Sequence, residues 1–300
     1  MIKVPLFDLH CDTFLKLYNT KQNIINNSLH ISLNKARFYE PYIQVASIWS
    51  DNTLSNEDAY SSCLNAIKYA KSLNINNIST VNSLCSPAFI FGVEDARILD
   101  GYISRLYKLY SLGVRVLTLN WKGSSCIGGG WDTSNGLTDF GKSVIKHCKS
   151  TGITVDLSHS SVTTFFDVVK MAYKLDFIPI ASHSNSLSIC NHGRNLSDEQ
   201  FRELKNLNSV VGISLAPEHL GKDASIYHIL KHIDHYLMLG GENNVCLGCD
   251  FDGVSSLPSG IDSIESILIL YYELLRQFGV KTTEKIFFYN AYNFFLKHLR

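Results

Sequence analysis

Six residues of this 300-residue chain carry an imidazole or a carboxylate at the end of a short apolar run. The first pair belongs to residues 4–12, which end in His10-Cys11-Asp12. In an extended chain successive side chains alternate faces, so His10 and Asp12 point the same way and Cys11 points away. The other four residues are Glu94, His159, His183 and Asp250. Imidazoles and carboxylates are zinc ligands, so all six are candidate metal ligands.

Each residue also has an ordinary explanation. Glu94 could cap the helix that follows, His159 could be a hydrogen-bonded core histidine, and Asp250 could shape a turn before Gly253. The metal interpretation gains weight because all six residues stand at the same end of their runs. If these runs are parallel strands of one barrel, the six side chains converge.

Eight apolar runs are predicted to be strands, and helices are predicted between them. The predicted strands are residues 4–12, 42–50, 88–94, 114–121, 153–159, 177–183, 210–216 and 245–250. The predicted helices are residues 55–73, 98–112, 140–150, 162–174, 225–239, 262–278 and 283–298, with one more starting at the capping box Ser197-x-x-Gln200. The Asn-rich residues 19–36 are predicted to be a surface excursion.

The order of these elements predicts the fold class. The strands are continuously apolar, which is typical of parallel strands buried on both faces. Alternating strands and helices indicate an α/β fold, either a doubly wound open sheet or a barrel. Eight units in about 250 residues fit a (β/α)8 TIM-type barrel better. No linker appears, so residues 1–300 are predicted to be a single domain with C-terminal helices.

Composition narrows the classes of partner. Lys plus Arg and Asp plus Glu both total 27, so the net charge is zero and no nucleic-acid partner is expected. No export signal precedes the first strand, and no run approaches the roughly 18 apolar residues of a membrane span. We therefore expect a soluble, cytoplasmic protein without a membrane partner.

The eight cysteines are scattered, which argues for reduced, mostly buried thiols rather than a disulfide framework. Cys246 and Cys249 have C-x-x-C spacing, but residues three apart in a strand face opposite sides. No second C-x-x-C completes a zinc site, so we interpret this pair as structural.

Six candidate ligands exceed what one tetrahedral zinc requires. A carboxylate shared by two metal ions uses the set economically and leaves positions for water. Two metals about 3.5–4 Å apart bind a shared hydroxide and polarise a carbonyl oxygen. The residues therefore favour a two-metal hydrolase acting on an amide.

Five motifs together resemble the successive signatures of the membrane (renal) dipeptidase family, peptidase family M19, over about residues 4–295. The motifs are His10-x-Asp12, Gly92-Val93-Glu94, Asp156-Leu157-Ser158-His159, Ser182-His183-Ser184 through Arg194-Asn195, and Gly248-Cys249-Asp250-Phe251-Asp252-Gly253. The resemblance implies a (β/α)8 barrel of the metal-dependent amidohydrolase type with a binuclear zinc centre. It also implies cleavage of dipeptides, often with a D-residue at the C-terminal position, and family members often form homodimers.

The resemblance also assigns roles to matching residues. His10 and Asp12 would hold one Zn²⁺ ion, His159 and His183 would hold the other, and Glu94 would bridge the two.

Two further roles concern the proton and the substrate. Asp250 resembles the family's catalytic acid/base, which handles the proton of the attacking water and of the leaving amine. Arg194 resembles the residue that binds the terminal carboxylate of the dipeptide, and a guanidinium does match a carboxylate in shape. A surface ion pair is the alternative interpretation of Arg194.

The chain departs from the family pattern at two places. Trp121 stands where mammalian members place a substrate-contacting histidine, so we expect Trp121 at the substrate site with altered rate or specificity. Asp95-Ala96-Arg97 follows Glu94 where the family usually has small residues. These departures leave open hydrolysis of another small amide, such as an N-acyl amino acid or a pathway intermediate, and a catalytically silent binding protein.

Two other patterns are interpreted as structural. His228, His232 and His235 fall on one helix face, which is predicted to be a solvated stripe because no carboxylate completes a metal motif. Gly128-Gly129-Gly130 lacks the context of a phosphate-binding loop. We predict a mobile loop over the site, with Trp131 near the substrate.

Overall fold

The computed structural model describes residues 3–78 and 86–299, within which seven regular strands form one parallel sheet. They are β1 (Val4–Cys11), β2 (Tyr39–Trp49), β3 (Ala88–Glu94), β4 (Val114–Thr118), β5 (Thr154–Asp156), β6 (Val211–Ile213) and β7 (Val245–Leu247). The sheet order is β5-β4-β3-β2-β1-β7-β6, so each strand from β1 to β4 pairs with the next in sequence.

The curled sheet closes between β5 and β6 through a short extended segment. Ile180 pairs with Asp156 of β5, and Ala181 pairs with Val211 of β6. The Ile180 N–H donates to the carbonyl of Val155 at 2.9 Å, and the Ala181 carbonyl accepts from Gly212 N–H at 2.8 Å. This segment takes the eighth position of the ring, and the predicted (β/α)8 barrel class is confirmed.

The predicted strand at residues 177–183 is wrong in its extent. Pro179 has no N–H for a ladder. The Ser182 N–H donates to Asp156 Oδ1 at 2.8 Å, and the His183 N–H donates to Ser158 Oγ at 3.0 Å. Because side chains occupy these donors, regular strand pairing is limited to two residues.

Ten helices lie in the described residues, and most follow a strand. They are α1 (Thr13–Thr20), α2 (Asn56–Ser72), α3 (Ile103–Ser111), α4 (Asp139–Thr151), α5 (Val162–Leu175), α6 (Asp198–Asn206), α7 (Pro217–Leu220), α8 (Ile226–Met238), α9 (Ile267–Glu284) and α10 (Asn290–His298). Ser197 and Gln200 form the predicted capping box at the start of α6. Among these helices, none combines the length and apolarity that crossing a membrane requires.

Residues 19–36 are more than a surface excursion. Their first two residues end α1, which the sequence did not predict, and the rest of the segment buries Ile24 and Ile31. The backbone N–H of His30 donates to Asp252 Oδ1 at 2.7 Å, and the Asp252 N–H donates to His30 Nδ1 at 3.0 Å. This segment is therefore hydrogen-bonded to the loop after β7, at the upper end of the barrel, where the strands have their C-terminal ends.

The lower, N-terminal end of the barrel is filled by apolar side chains. Alternate strand residues such as Phe7, Ile43 and Ile90 form one buried cluster with Phe295 of α10. The rings of Phe7 and Phe295 stack with centroids 5.3 Å apart. Helix α10 thus closes this end, and the polar residues collect at the other end.

Two structural interpretations need correction. His232 is fully buried rather than solvated, since its Nδ1 accepts from the Ser186 N–H at 3.0 Å and its Nε2 lies 3.1 Å from the Leu220 carbonyl. Residues 128–130 are buried and bonded to the start of α5 rather than forming a mobile loop. A Cβ at Gly129 would lie 2.3 Å from the Asn135 carbonyl oxygen, so glycine is required there.

The cysteine pair follows the structural interpretation. Cys246 belongs to the apolar cluster inside the barrel, whereas Cys249 belongs to the cluster between the sheet and the helices. The two thiols are buried on different sides of β7 and its continuation. Cys85 lies outside the described residues.

Candidate metal centre

Glu94 ends β3, and its two carboxylate oxygens face two different groups of side chains. Oε1 lies 2.9 Å from His159 Nε2 and 3.5 Å from His183 Nε2. Oε2 lies 3.6 Å from His10 Nε2. The carboxylate therefore stands between two sets of nitrogen donors, one beside each oxygen.

Three overlapping groups of donor atoms, each within 4.8 Å of one another, converge here. The groups are His10, Asp12 and Glu94; Glu94, His159 and His183; and His10, His183 and Asp250. The first two are the ligand sets that the family resemblance implies, and they share Glu94. Asp250 Oδ1 lies 3.8 Å from His10 Nε2, so its carboxylate also faces the cluster.

The cluster fits divalent metal ions by its chemistry and by its unused atoms. Buried His10 Nε2 and Asp12 Oδ1 have no hydrogen-bond partner among the described residues, although such orphaned atoms are costly. Imidazoles mixed with carboxylates suit zinc and similar metals. A Cβ at Gly253 would lie 2.2 Å from Asp250 Oδ1 and 2.4 Å from Asp12 Oδ2, so glycine leaves room for both carboxylates.

A shift in strand register brings His10 into the barrel. Phe7 and Leu9 of β1 belong to the apolar cluster inside the barrel, so strict alternation would place Cys11 inside next. The pairing of β1 with β2 shifts between Asp8 and Cys11. After this shift, His10 faces the metal cluster and Cys11 packs outside the barrel.

Two site residues have an unusual backbone conformation. His159 and Asp250 adopt left-handed φ angles of 67° and 60°. Such conformations cost of order 1–3 kcal/mol for non-glycine residues and are found where function requires them. The turns redirect the two side chains towards the cluster at the ends of β5 and β7.

Burial raises the pKa of two carboxyl groups. Burial raises the pKa of Asp250 well above its usual value, and the charges of Asp12 and Glu94 add to the effect. Burial, followed by the charge of Glu94, raises the pKa of Asp12 to about 6. A carboxyl group with a raised pKa takes up a proton more readily than an ordinary one, which is a property of an acid/base group.

Glu94 and two of the histidines shift in the opposite direction. Burial alone would raise the pKa of Glu94, but the charge of His10 and hydrogen bonds from His10 and His159 hold it well below its usual value. Burial and the charge of Arg194 lower the pKa of His159 to about 4. Burial, followed by the charge of His10, lowers the pKa of His183 well below its usual value. An ionised Glu94 beside neutral His159 and His183 is the form that binds a metal. His10 differs, because burial alone would lower its pKa but the charge of Glu94 and a hydrogen bond to Asp12 raise it well above the usual value, so a cation must displace its proton.

Asp8 supports the cluster and was not singled out from the sequence. Its Oδ1 accepts from the backbone N–H of Cys249 at 2.9 Å and of His10 at 3.3 Å, which joins the ends of β7 and β1. Asp8 is fully buried. A charged residue inside an otherwise apolar strand was the available signal.

A cavity of about 150 Å³ opens beside the cluster. Its lining comprises Asp12, Leu15, Lys16, Trp49, Glu94, Trp121, His159, Asp250, Asp252 and Gly253. The rings of Trp49 and Trp121 lie 5.1 Å apart and give it an aromatic wall. A groove of about 1070 Å³ near α10 is larger, but none of the candidate ligands lines it, so the chemistry points to the smaller cavity.

Arg194 is buried behind His183 and does not line this cavity. Its Nη1 donates to Ser184 Oγ at 3.1 Å, and its Nη2 donates to the His183 carbonyl at 2.9 Å. Its Nε has no partner among the residues described. Burial excludes a surface ion pair, and binding of a substrate carboxylate stays a prediction. Trp131 packs on His192, with ring centroids 5.3 Å apart, and is also absent from the cavity lining.

The unusual residues after Glu94 fasten two loops together. Asp95 Oδ1 accepts from the Arg97 N–H at 3.1 Å, and the Asp95 carbonyl accepts from Ser50 Oγ at 2.9 Å. The Arg97 guanidinium donates to the Asp51 carbonyl at 2.5 Å. This departure from the family pattern therefore holds the loops after β2 and β3 together.

Comparison with known proteins agrees with this geometry. The family model for membrane dipeptidases, peptidase family M19, matches residues 1–295. The chain belongs to the membrane dipeptidase family. A crystal structure of the dipeptidase AC, a metallopeptidase of family M19, superposes with a TM-score of 0.90 at 23% identity and covers 99% of both chains. A metallopeptidase from Rhodobacter sphaeroides, liganded with a phosphinate mimic of the dipeptide L-Ala-D-Ala, has a TM-score of 0.91 at 21% identity, covering 99% of this chain and 100% of that one.

This chain covers a smaller share of its curated relatives than of the two superposed structures. A protein encoded in the pqqA 5′ region of Klebsiella pneumoniae is 30% identical over 194 residues, which cover 60% of this chain and 70% of that protein. Dipeptidase 3 of Mus musculus is 27% identical over 312 residues, covering 91% of this chain and 60% of that protein. Dipeptidase 3 of Rattus norvegicus is 28% identical over 218 residues, covering 68% of this chain and 43% of that protein. The chain thus matches less than two thirds of the length of either dipeptidase 3.

Proposed function

We propose that this member of the membrane dipeptidase family is a zinc-dependent dipeptidase. The proposal rests on Glu94, whose oxygens face two separate groups of donors at 2.9–3.6 Å. A carboxylate in this position can serve two cations at once. The dipeptide mimic bound to the Rhodobacter sphaeroides relative supports a dipeptide as the substrate.

In this proposal His10, Asp12 and Glu94 would hold one zinc ion, and Glu94, His159 and His183 would hold the other. Bound zinc supplies Lewis acidity towards a carbonyl oxygen and lowers the pKa of water, which is the chemistry that amide hydrolysis requires. The chain contributes the buried donor atoms and the narrow cavity that limits access of bulk water.

Asp250 is the group that we expect to carry the proton. Its carboxyl lines the cavity and lies 3.8 Å from His10 Nε2, so it borders both the substrate space and the ligand cluster. Its pKa is raised by burial, which favours taking a proton from water and passing it to the departing amine nitrogen.

Two cations near the cavity are candidates for binding the carboxylate of a dipeptide. Arg194 has an unpartnered Nε behind His183, and the exposed Lys16 lines the cavity with no side-chain partner in the described ranges. We assign the role to Arg194 because a guanidinium can form paired hydrogen bonds with a carboxylate. Arg194→Met should then raise KM about 10- to 100-fold, as expected for a charged hydrogen bond. A larger rise in Lys16→Met would transfer the role to Lys16.

Hydrolysis of a dipeptide panel by zinc-loaded protein tests the proposal. We expect cleavage of L-Ala-L-Ala or L-Ala-D-Ala, loss of activity after chelation and recovery on adding zinc. C-terminally amidated dipeptides should be poor substrates because they lack the carboxylate. A zinc-bound protein that cleaves no amide would favour a catalytically silent binding protein.

Hydrolysis of N-acyl amino acids is the second candidate. The aromatic wall of Trp49 and Trp121 favours it, because an apolar acyl group can pack on these rings. The ratio of kcat/KM for N-acetyl amino acids to that for dipeptides separates the two candidates. A ratio above one would replace the dipeptidase proposal with this one.

A further inference from the structure

The Ser182 hydroxyl lies between a buried aspartate and a candidate metal ligand. Ser182 Oγ is 2.6 Å from Asp156 Oδ2 and 2.7 Å from His183 Nδ1. All three residues are fully buried, so bulk water does not compete for these contacts. Asp156, Ser182 and His183 are therefore joined by a continuous series of buried hydrogen bonds.

The donor and the acceptor of each hydrogen bond in this series can be assigned by starting at Asp156. Its Oδ1 accepts from the backbone N–H of Ser158 at 3.0 Å and of Ser182 at 2.8 Å. Its Oδ2 accepts from Thr118 Oγ1 at 2.6 Å and from Ser182 Oγ. A carboxylate offers lone pairs and no proton, so the Ser182 hydroxyl must donate to it.

Counting protons then fixes the form of His183. A serine hydroxyl has one proton, and that proton is directed at Asp156. The short contact between Ser182 Oγ and His183 Nδ1 therefore requires the imidazole to donate its Nδ1–H. The proton-free Nε2 of His183 is left facing Glu94 Oε1, 3.5 Å away, and His159 Nε2, 2.9 Å away.

The other two histidines of the cluster have no comparable arrangement. His159 Nδ1 is buried without a partner among the described residues. His10 Nδ1 lies 3.5 Å from both Ser47 Oγ and Ser182 Oγ, which is too long for a strong hydrogen bond. Of the three Nδ1 atoms, that of His183 is the one with a short, directed contact in the described residues.

The backbone of Ser182 is also held in place. A Cβ at Gly212 or at Gly248 would lie 1.9 Å or 1.8 Å from the Ser182 carbonyl oxygen. Two neighbouring strands therefore use glycine where this carbonyl enters the barrel. The close approach of these two glycines confines the backbone of Ser182.

We propose that Ser182, anchored by Asp156, is a positioning residue that fixes His183 in the Nδ1-protonated tautomer and so directs the Nε2 lone pair at the Glu94 carboxylate. The half of the cluster formed by Glu94, His159 and His183 is then prearranged before a cation arrives. The consequence for zinc affinity rests on the function proposed above, whereas the tautomer does not.

Long-range ¹H–¹⁵N NMR of histidine-labelled, metal-free protein measures the tautomer directly, with His183→Gln assigning the signals. We expect a protonated Nδ1 and an unprotonated Nε2 for His183 in the parent protein. Ser182→Ala should give a mixture of tautomers, and Ser182→Thr, which retains the hydroxyl, should restore the parent form. Ser184→Ala is the matched control, because this buried serine contacts Ser158 and Arg194 but no imidazole.

Asp156→Asn gives a sharper test because it should reverse the series. The two backbone N–H groups keep the amide oxygen at the Oδ1 position, so the new NH2 group points at Ser182 Oγ. The serine proton must then turn to His183 Nδ1, and the imidazole proton moves to Nε2. A His183 that stays Nδ1-protonated in both Asp156→Asn and Ser182→Ala would overturn the proposal.

Zinc titration against a chromophoric chelator supplies the second readout. Ser182→Ala should weaken one of the two zinc sites about 10- to 100-fold, the usual effect of removing a hydrogen-bond partner of a ligand. Unchanged affinity together with an unchanged tautomer contradicts the inference. If the tautomers are as predicted but the protein binds no zinc, the proposed function is refuted and the role of Ser182 stands.

Discussion

The two ends of the barrel interior are built from the same strands but have opposite energetics. At the lower end Phe7, Ile90 and Phe295 pack tightly, and each buried ring or aliphatic chain stabilises the fold. At the upper end the buried groups include unpartnered polar atoms, such as Asp12 Oδ1, and a left-handed His159. The lower end therefore stabilises the barrel, while the upper end holds unfavourable features that bound cations would offset.

The change occurs within single strands. In β3 the inward positions run from Ala88 and Ile90 to Gly92 and Glu94. Gly92 has no side chain because a Cβ would lie 2.6 Å from Ser47 Oγ. One inward-facing residue, Gly92, thus separates the apolar core from a candidate metal ligand, so a substitution at either end should affect one property and spare the other.

The largest effect is expected for Glu94→Gln. The amide keeps the size of the side chain but removes the charge that faces both donor groups. We expect kcat/KM to fall by about four orders of magnitude, because the bound metals contribute several kcal/mol to catalysis and each tenfold loss corresponds to 1.36 kcal/mol. Bound zinc, measured by elemental analysis, should also be lost. A variant that retains two zinc ions and its turnover would show that Glu94 is required for neither.

Asp250→Asn should abolish proton transfer but leave the ligands in place. We expect kcat to fall about 10²- to 10⁴-fold, the usual contribution of a general acid/base group, while zinc content is unchanged. Asparagine tolerates the left-handed φ of 60° at this position, so the fold should persist. Unchanged kcat would refute the assigned role.

Phe295→Ala tests the lower end. Removing this fully buried ring should lower the free energy of unfolding by about 3 kcal/mol, with zinc content and kcat of the folded protein unchanged. Leu296→Ala on the same helix is the control, since that side chain is 43% exposed and should cost within about 0.5 kcal/mol. Urea unfolding measures both, and equal effects would contradict the packing described.

Asp12→Asn should stabilise the metal-free protein while weakening zinc binding. The pKa of Asp12 is raised to about 6 in the folded state, so its ionised form destabilises the fold above that pH. The variant should gain up to about 3 kcal/mol in free energy of unfolding at pH 7, because the pKa of Asp12 is raised by about two units and each unit corresponds to 1.36 kcal/mol. The gain should vanish as the pH falls from 6 towards 4. A destabilised metal-free variant at pH 7 would show that this carboxylate is not under strain.

The smallest effect concerns zinc affinity and pH in the parent protein. Asp12 must lose its proton to bind a cation, so affinity at the site with His10 should fall as the pH drops below about 6. One displaced proton gives a loss of about tenfold per pH unit in that range. Competition with a chelator between pH 5 and 7.5 measures the slope, and a flat profile would contradict the shifted pKa.

The barrel could be predicted because the apolar pattern of each strand and the alternation of strands with helices can be read directly from the sequence. Continuous apolar runs identified all seven regular strands, and Ser197 with Gln200 marked the start of α6. The sixth predicted strand, residues 177–183, was too long because its N–H donors are occupied by Asp156 and Ser158, which are distant in sequence. His232 was misplaced for the same reason, since its partners at Ser186 and Leu220 become visible after folding.

The candidate ligands could be proposed from residue type and position at the strand ends, and the structure brings them together. The supporting groups could not. The register shift of β1 that turns His10 inward and the bonds of Asp8 to Cys249 depend on neighbouring strands. The position of Arg194 behind His183, outside the cavity lining, likewise follows from tertiary packing.

The central claim is that Glu94 joins two cations at the upper end of the barrel. Anomalous diffraction at the zinc edge from crystals of zinc-loaded protein tests it most directly. The account predicts two peaks, one beside His10 and Asp12 and one beside His159 and His183, with one Glu94 oxygen next to each. A single peak, or two peaks away from Glu94, would contradict it.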